Sequence, residues 1–230
     1  MENEQKHRIS LPDYSLAEEL MNSITHGVGA GLGIAALVLC VIFSVVRGMG
    51  AAAVVASAIY GATLVLLYTM SCLYHALARN RAKRVFRVID HCTIYLLIAG
   101  TYTPYTLVTL CGGGHPGWGW SLFGVVWGFA VLGISLTAVD LHKFRKLSMV
   151  CYIGMGWVIV IASRYMIEIM MPAKAAGLWL LLAGGILYTV GAVLYGIGKK
   201  HKYVHALFHV FVLAGSILHF LSIFFYVLKP

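Results

Sequence analysis

The feature that most constrains this chain is a series of apolar runs, each about 20 residues long, separated by short polar segments. A helix of that length matches the bilayer's hydrocarbon core, about 30 Å at a rise of about 1.5 Å per residue. Seven such runs can be marked, at 24–46, 51–76, 88–111, 118–139, 147–167, 177–197 and 204–227. Only 11% of the residues are charged and 60% are hydrophobic, whereas a soluble domain carries about 25% charged residues. In hydrocarbon the backbone must satisfy its own polar groups, which leaves helices or a closed barrel. A barrel would alternate in segments of about ten residues, and these runs do not alternate. The expectation is an all-α membrane protein. Residues 24–230 form a seven-helix transmembrane bundle, preceded by a cytoplasmic or interfacial segment at 1–23. No apolar core with a small-residue cleavage site stands in that first segment, so the first helix is expected to anchor itself. The five cysteines, an odd set within the spans, suggest small buried thiols rather than a disulfide framework.

The net charge of +9 carries topology rather than a nucleic-acid site. With seven spans, Lys6, Arg8, Arg79, Arg81, Lys83, Arg84, Arg87, Lys143, Arg145, Lys146, Lys199, Lys200 and Lys202 share one side, 13 of the 17 basic residues. Arg47, Arg164, Lys174 and Lys229 remain for the other. Basic loops stay in the cytoplasm. The N-terminus is therefore expected inside and the C-terminus outside.

Within that frame His75 ends the second span, Asp90 begins the third, His205 and His209 begin the seventh, and His26 begins the first. All are expected at similar depth near the cytoplasmic surface. His205 and His209 are four apart and share a helix face. Together with His75 they offer three neutral imidazoles, a donor set suited to zinc and, with an open position, to catalysis. An ionisable group in hydrocarbon is costly and normally marks function. His219 lies ten residues past His209, about 15 Å along the helix, and is expected to be a packed, hydrogen-bonded side chain. His91 points about 100° away from Asp90 and is not expected to bind metal.

Further residues gather around this set. Ser71, one turn before His75, is a candidate to stabilise a developing oxyanion. Asp90 is a candidate to orient a ligand or accept a proton. The segment Glu19-x-x-Asn22-x-x-Thr25-His26 places polar groups on one face after a capping box at Ser15 and Glu18. It is expected to form a short interfacial helix whose polar side faces either the cavity or the headgroups. Pro104 is expected to kink the third span. Gly27, Gly29, Gly31 and Gly33, and Gly124 with Gly128, are expected to form small-residue packing faces. No phosphate loop, dinucleotide fingerprint or Gly-x-Ser-x-Gly elbow is present.

The ordered set of Glu19-x-x-Asn22-x-x-Thr25-His26, Ser71-x-x-x-His75, Asp90-His91 leading to Pro104, and His205-x-x-x-His209 resembles the bacterial hemolysin III proteins. These fall within the progestin and adipoQ receptor family, which includes the adiponectin receptors. The resemblance runs from about residue 14 to the end. It implies a seven-helix bundle in the inner (plasma) membrane of a bacterium, with its N-terminus inside and zinc on His75, His205 and His209. It also implies that Asp90 contacts zinc through a water, with Ser71 alongside. Receptor-branch members are linked to ceramide hydrolysis, and bacterial ones to hemolysis by name and to membrane fluidity and energetics. With only 23 residues ahead of the first run, no counterpart of the receptors' long cytoplasmic N-terminal domain is expected, and receptor signalling is not expected to carry over. Three functions compete: a zinc-dependent hydrolase acting on an amide-type bond of a membrane lipid, with Asp90 and Ser71 catalytic; a non-catalytic membrane-state sensor with structural zinc; and a pore-forming hemolysin.

Overall fold

A computed structural model describes residues 11–198 and 201–229, and every regular element among them is helical. Lys6, Arg8, Lys199 and Lys200, used in the topology argument, lie outside the described residues. The helices are α1 (Leu16–Val46), α2 (Ala51–Ala76), α3 (Arg81–Pro104), α4 (Pro116–Val139), α5 (Arg145–Trp157), α6 (Ser163–Met170), α7 (Ala175–Ile197) and α8 (Val204–Ser222). A 3-10 stretch, Val158–Ala162, joins α5 to α6. Wide π-helical turns extend α3 over Tyr105–Leu110 and α8 over Ile223–Val227.

Among the described residues, six helices are long and apolar enough to cross a membrane: α1, α2, α4, the combined Arg145–Met170, α7, and α8 with its extension to Val227. The third helix of the expected seven is not among them. Arg81, Lys83, Arg84, Arg87 and Asp90 fall in its first ten residues, and threonines and tyrosines crowd its last turns.

The first helix is longer than the sequence suggested. It runs unbroken from Leu16, instead of a short interfacial helix feeding a span at 24. The reason is one continuous inward stripe of Glu18, Asn22, His26, Gly29, Gly33, Ala36, Cys40 and Ser44. Polar residues at its start belong to the same buried face as the apolar ones after it, so nothing ends the helix between them. Ser15 caps it. The Ser15 hydroxyl accepts from the Glu18 amide and Glu18 Oε2 accepts from the Ser15 amide, a box worth about 1 kcal/mol.

Both ends of α1 clasp the last helix. Glu18 Oε1 accepts from the amide of Tyr203, 2.8 Å away, at the start of α8. That donor is presented by the left-handed backbone of Tyr203 (φ 63°). At the other end Arg47 donates to the carbonyls of Phe224 and Leu228, and its guanidinium lies between the rings of Phe43 and Phe224. These bonds satisfy carbonyls that the widened last turn of α8 leaves open.

Pro104 acts differently from the expected simple kink. The helix widens into the π turns at Tyr105, and Thr103 and Thr106 return hydroxyl bonds to the carbonyls of Ala99, Tyr102 and Thr103. The break between α5 and α6 is plugged from α3. The Tyr102 hydroxyl donates to Gly156 O and accepts from Ile159 N, each at 2.9 Å.

Small residues set the packing, though not all those expected. A methyl group on Gly29 would strike the Tyr68 ring, and one on Gly33 would press on the backbone of α2. Gly31 meets nothing. Gly124 and Gly128 also face open space, so the expected packing face there is corrected. The face α4 buries is Gly119, Leu122, Val126, Ala130, Gly133 and Thr137, with Gly133 against the Tyr95 ring. All five cysteines are free, but only Cys40 is fully buried. Replacing Gly133 by Ala should cost about 1–3 kcal/mol through overpacking, whereas Gly124→Ala should change stability by less than about 0.5 kcal/mol. Thermal unfolding of the two variants in one detergent checks this difference.

Candidate metal centre

Four helices bring polar side chains to one end of the bundle. The last turn of α2 supplies Ser71 and His75, and the first two turns of α8 supply His205 and His209. The first three turns of α1 supply Glu19, Asn22 and His26, and α3 supplies Lys83 and Asp90. His75, His205 and His209 are buried, and each offers one nitrogen such that all lie within 4.8 Å of one another. These three could hold a metal ion. His205 Nε2 and His209 Nε2 are 3.2 Å apart. Nitrogen ligands on a tetrahedral ion, with bonds of about 2.0–2.1 Å, lie about 3.3 Å apart.

The tautomer of His75 fits that arrangement. Its Nδ1 lies 2.6 Å from Glu19 Oε2, so the proton sits between ring and carboxylate. Its Nε2 is buried without a hydrogen-bond partner among the described atoms, and an orphaned acceptor in such a place calls for an explanation. Asn22 Nδ2 lies 3.4 Å from the same Nδ1, too far to displace the carboxylate. Lys83 Nζ lies 2.7 Å from Glu19 Oε1 and also donates to Leu77 O at 2.9 Å. His26 stacks on His209, ring centroids 3.7 Å apart and planes 19° apart. It therefore braces a ligand candidate face to face without joining the converging nitrogens.

Ser71 and Asp90 interact through their side chains, and both line the cavity that the His205 and His209 rings enter. That cavity, about 510 Å³, is within the range of small-molecule sites. It runs from Tyr14, Asp90 and His209 past Leu97 and Val212 to Met166 and Leu178. Exposed residues of two helices also line it: Val160 (54% exposed) after α5, and Trp179 (67%) with Leu182 (40%) on α7. The cavity thus reaches the outer face of the bundle between α5–α6 and α7.

At the histidine end the segment before α1 lies across the cavity. Tyr14 stacks on His205, centroids 4.9 Å apart. Burial raises its phenol above the ordinary tyrosine range, so it stays neutral and keeps its donor. Arg79 holds the segment by bonds to Pro12 O and Asp13 Oδ1. That ion pair is exposed and contributes about 0–1 kcal/mol.

The family model described as Haemolysin-III related matches residues 14–220. The chain belongs to the haemolysin-III family. It is 44% identical over 211 residues to Hemolysin-3 of Bacillus cereus, covering 92% of each chain. Identity to the Hemolysin-3 homolog of Bacillus subtilis (strain 168) is 40% over 216 residues, covering 94% of this chain and 97% of that one. The human Monocyte to macrophage differentiation factor is 24% identical over 182 residues, covering 74% and 70%.

In this haemolysin-III chain the expected residues divide cleanly. The three histidines meet, and Ser71 and Asp90 adjoin the cavity beside them. His219 stands apart, its Nε2 bonded to Leu181 O at 3.1 Å, and His91 bonds Arg87 O and the Tyr195 hydroxyl. His115 faces Glu168 and Tyr165 at the far end of α3. Sequence reading missed Lys83 and Tyr14, whose partners lie on other elements, and left Glu19 without a role. The i, i+3, i+7 spacing of Glu19, Asn22 and His26 carried the signal for one shared face. Metal analysis of purified protein should find a bound ion in the wild type and in His219→Ala, but not in His205→Ala.

Proposed function

We propose that this chain crosses the membrane seven times with its N-terminus in the cytoplasm, that His75, His205 and His209 hold zinc, and that the site hydrolyses an amide-type bond in a membrane lipid. The observation that supports the reading is the position of the histidine cluster at one end of an apolar cavity that reaches the outer face of the bundle, the face that would meet lipid if α5–α6 and α7 cross the membrane. An acyl chain suits the apolar length of that cavity, and its polar head then lies beside Ser71 and Asp90.

Seven spans are supported by α3 itself. With its π extension it runs from Arg81 to Leu110, about 45 Å at the helical rise. Its charged start lies beside the end of α2, where Lys83 meets Leu77 O. A helix that carries its charges at one end and lines a cavity is compatible with a span. Tags at the two termini should then be reached from opposite sides of sealed vesicles, and access from the same side would overturn the seven-span reading.

The neutral imidazoles, without thiolate or carboxylate at the converging point, suit zinc over magnesium or calcium. Zinc, when bound, supplies Lewis acidity that activates water and polarises a carbonyl. Asp90 accepts the proton of the attacking water and returns it to the departing amine. Ser71 donates to the oxygen on which charge develops. The histidines orient, and the apolar walls exclude bulk water.

A structural ion is the second reading, favoured by the way Tyr14 covers His205. Asp90→Asn separates the two. The variant should keep its metal and lose turnover of an amide-linked lipid by about 100-fold or more. Unchanged turnover or phenotype in Asp90→Asn assigns the ion to structure. His209→Ala should lose both metal and turnover while still inserting, and hydrolysis by metal-free wild type would sink the zinc-dependent reaction. The name shared by the Bacillus relatives speaks of hemolysis, but an apolar cavity suits a lipid chain better than a stream of ions.

A further inference from the structure

We infer that Glu19 is a positioning residue of the histidine cluster: held by Lys83, it fixes which ring nitrogen of His75 faces the other two histidines. The inference starts from a buried ion pair. Lys83 is almost fully buried, and its Nζ contacts Glu19 Oε1 at 2.7 Å, Leu77 O at 2.9 Å and His75 O at 3.4 Å. Two of these acceptors are carbonyls at the C-terminal end of α2, which favours a cation there. One ammonium thus closes the turn from α2 to α3 and pins a carboxylate of α1 beside it.

The pinned carboxylate has one oxygen left, and it points at His75 Nδ1, 2.6 Å away. A carboxylate accepts, so Nδ1 carries the proton. The lone pair must then be on Nε2, the atom that is buried and without a partner among the described residues. Rotating the ring by half a turn would bring Nε2 toward the carboxylate side and remove a lone pair from the convergence with His205 and His209. Glu19 opposes that rotation, and the Tyr74 and His209 rings, 4.5 and 4.9 Å from His75, flank it. Carboxylates that receive the second N–H of a ligating histidine raise its basicity and set its orientation. The polar stripe of α1, unexplained as a headgroup-level face, becomes the outer layer of the histidine cluster. Glu19 sets the tautomer of His75, and His26 supports the ring of His209 from its face.

The experiment has two arms. In the first, nitrogen-15 NMR of His75 in metal-free protein reads the tautomer directly. Wild type should show the proton on Nδ1, and Glu19→Ala a mixture of tautomers. Glu19→Gln should keep the Nδ1 proton, because its amide oxygen still accepts. In the second, zinc affinity is measured by competition with a chelator. Glu19→Ala should weaken binding about 10- to 100-fold, Glu19→Gln less, and Lys83→Met in the same direction, with a double variant weaker by less than the product of the two. Only this arm rests on the proposed zinc site, so a wild type that binds no zinc defeats that reading and leaves the tautomer to decide this one. A wild-type His75 protonated on Nε2, or a folded Glu19→Ala with unchanged tautomer and unchanged affinity, overturns the inference.

Discussion

Buried imidazole lone pairs cannot be left facing one another without a compensating charge or proton, and the architecture at one end of this bundle follows from that constraint. Three buried histidines from two helices converge within 4.8 Å. Each unpaired polar group buried there would cost about 1–3 kcal/mol. Two responses are visible. One nitrogen of His75 is tied to a carboxylate. Others are left converging, in a geometry that a cation satisfies. The rest of the site is built outward from this arrangement: Lys83 neutralises the carboxylate, and His26 and Tyr14 cover the faces of His209 and His205.

Mid-bundle polar groups obey the same rule with hydroxyls in place of charges. Tyr68 donates to Ser216, whose hydroxyl also meets Tyr188 at 2.6 Å. Tyr105 donates to Ser222, which passes its own hydrogen to Gly177 O. These pairs join α2 and the π extension of α3 to α7 and α8, and so they specify register as well as satisfying donors.

Much of this could be read from the sequence because hydrocarbon permits few structures. Apolar runs marked the helices, and the alternation of basic loops placed His75, Asp90, His205 and His209 at one depth before any contact was known. The start of α1 was misjudged for a definable reason. Glu18 and Asn22 are polar but face inward, so hydropathy began the span at residue 24 and gave them to a separate short helix, whereas a single helix continues through them. Gly124 and Gly128 were misassigned because spacing shows that two glycines share a face, not which way the face looks. Lys83 looked like one more topogenic cation. Its role depends on three partners from α1 and the end of α2, and no local pattern encodes that meeting.

The double clasp between α1 and α8 has a mechanical consequence. Glu18 fastens the two helices at the histidine end, and Arg47 fastens them at the other. The polypeptide therefore closes into a hoop, its first turn of chain buckled to its last. His75 and His209 ride on the buckled half, through α2 against α1 and through α8 itself. Across the seam between α5–α6 and α7 the tie is lighter: the Trp157 indole donates to the Thr189 hydroxyl at 3.0 Å. A guest entering there would have to displace that neutral bond, while the two charged fastenings keep the imidazoles where they stand.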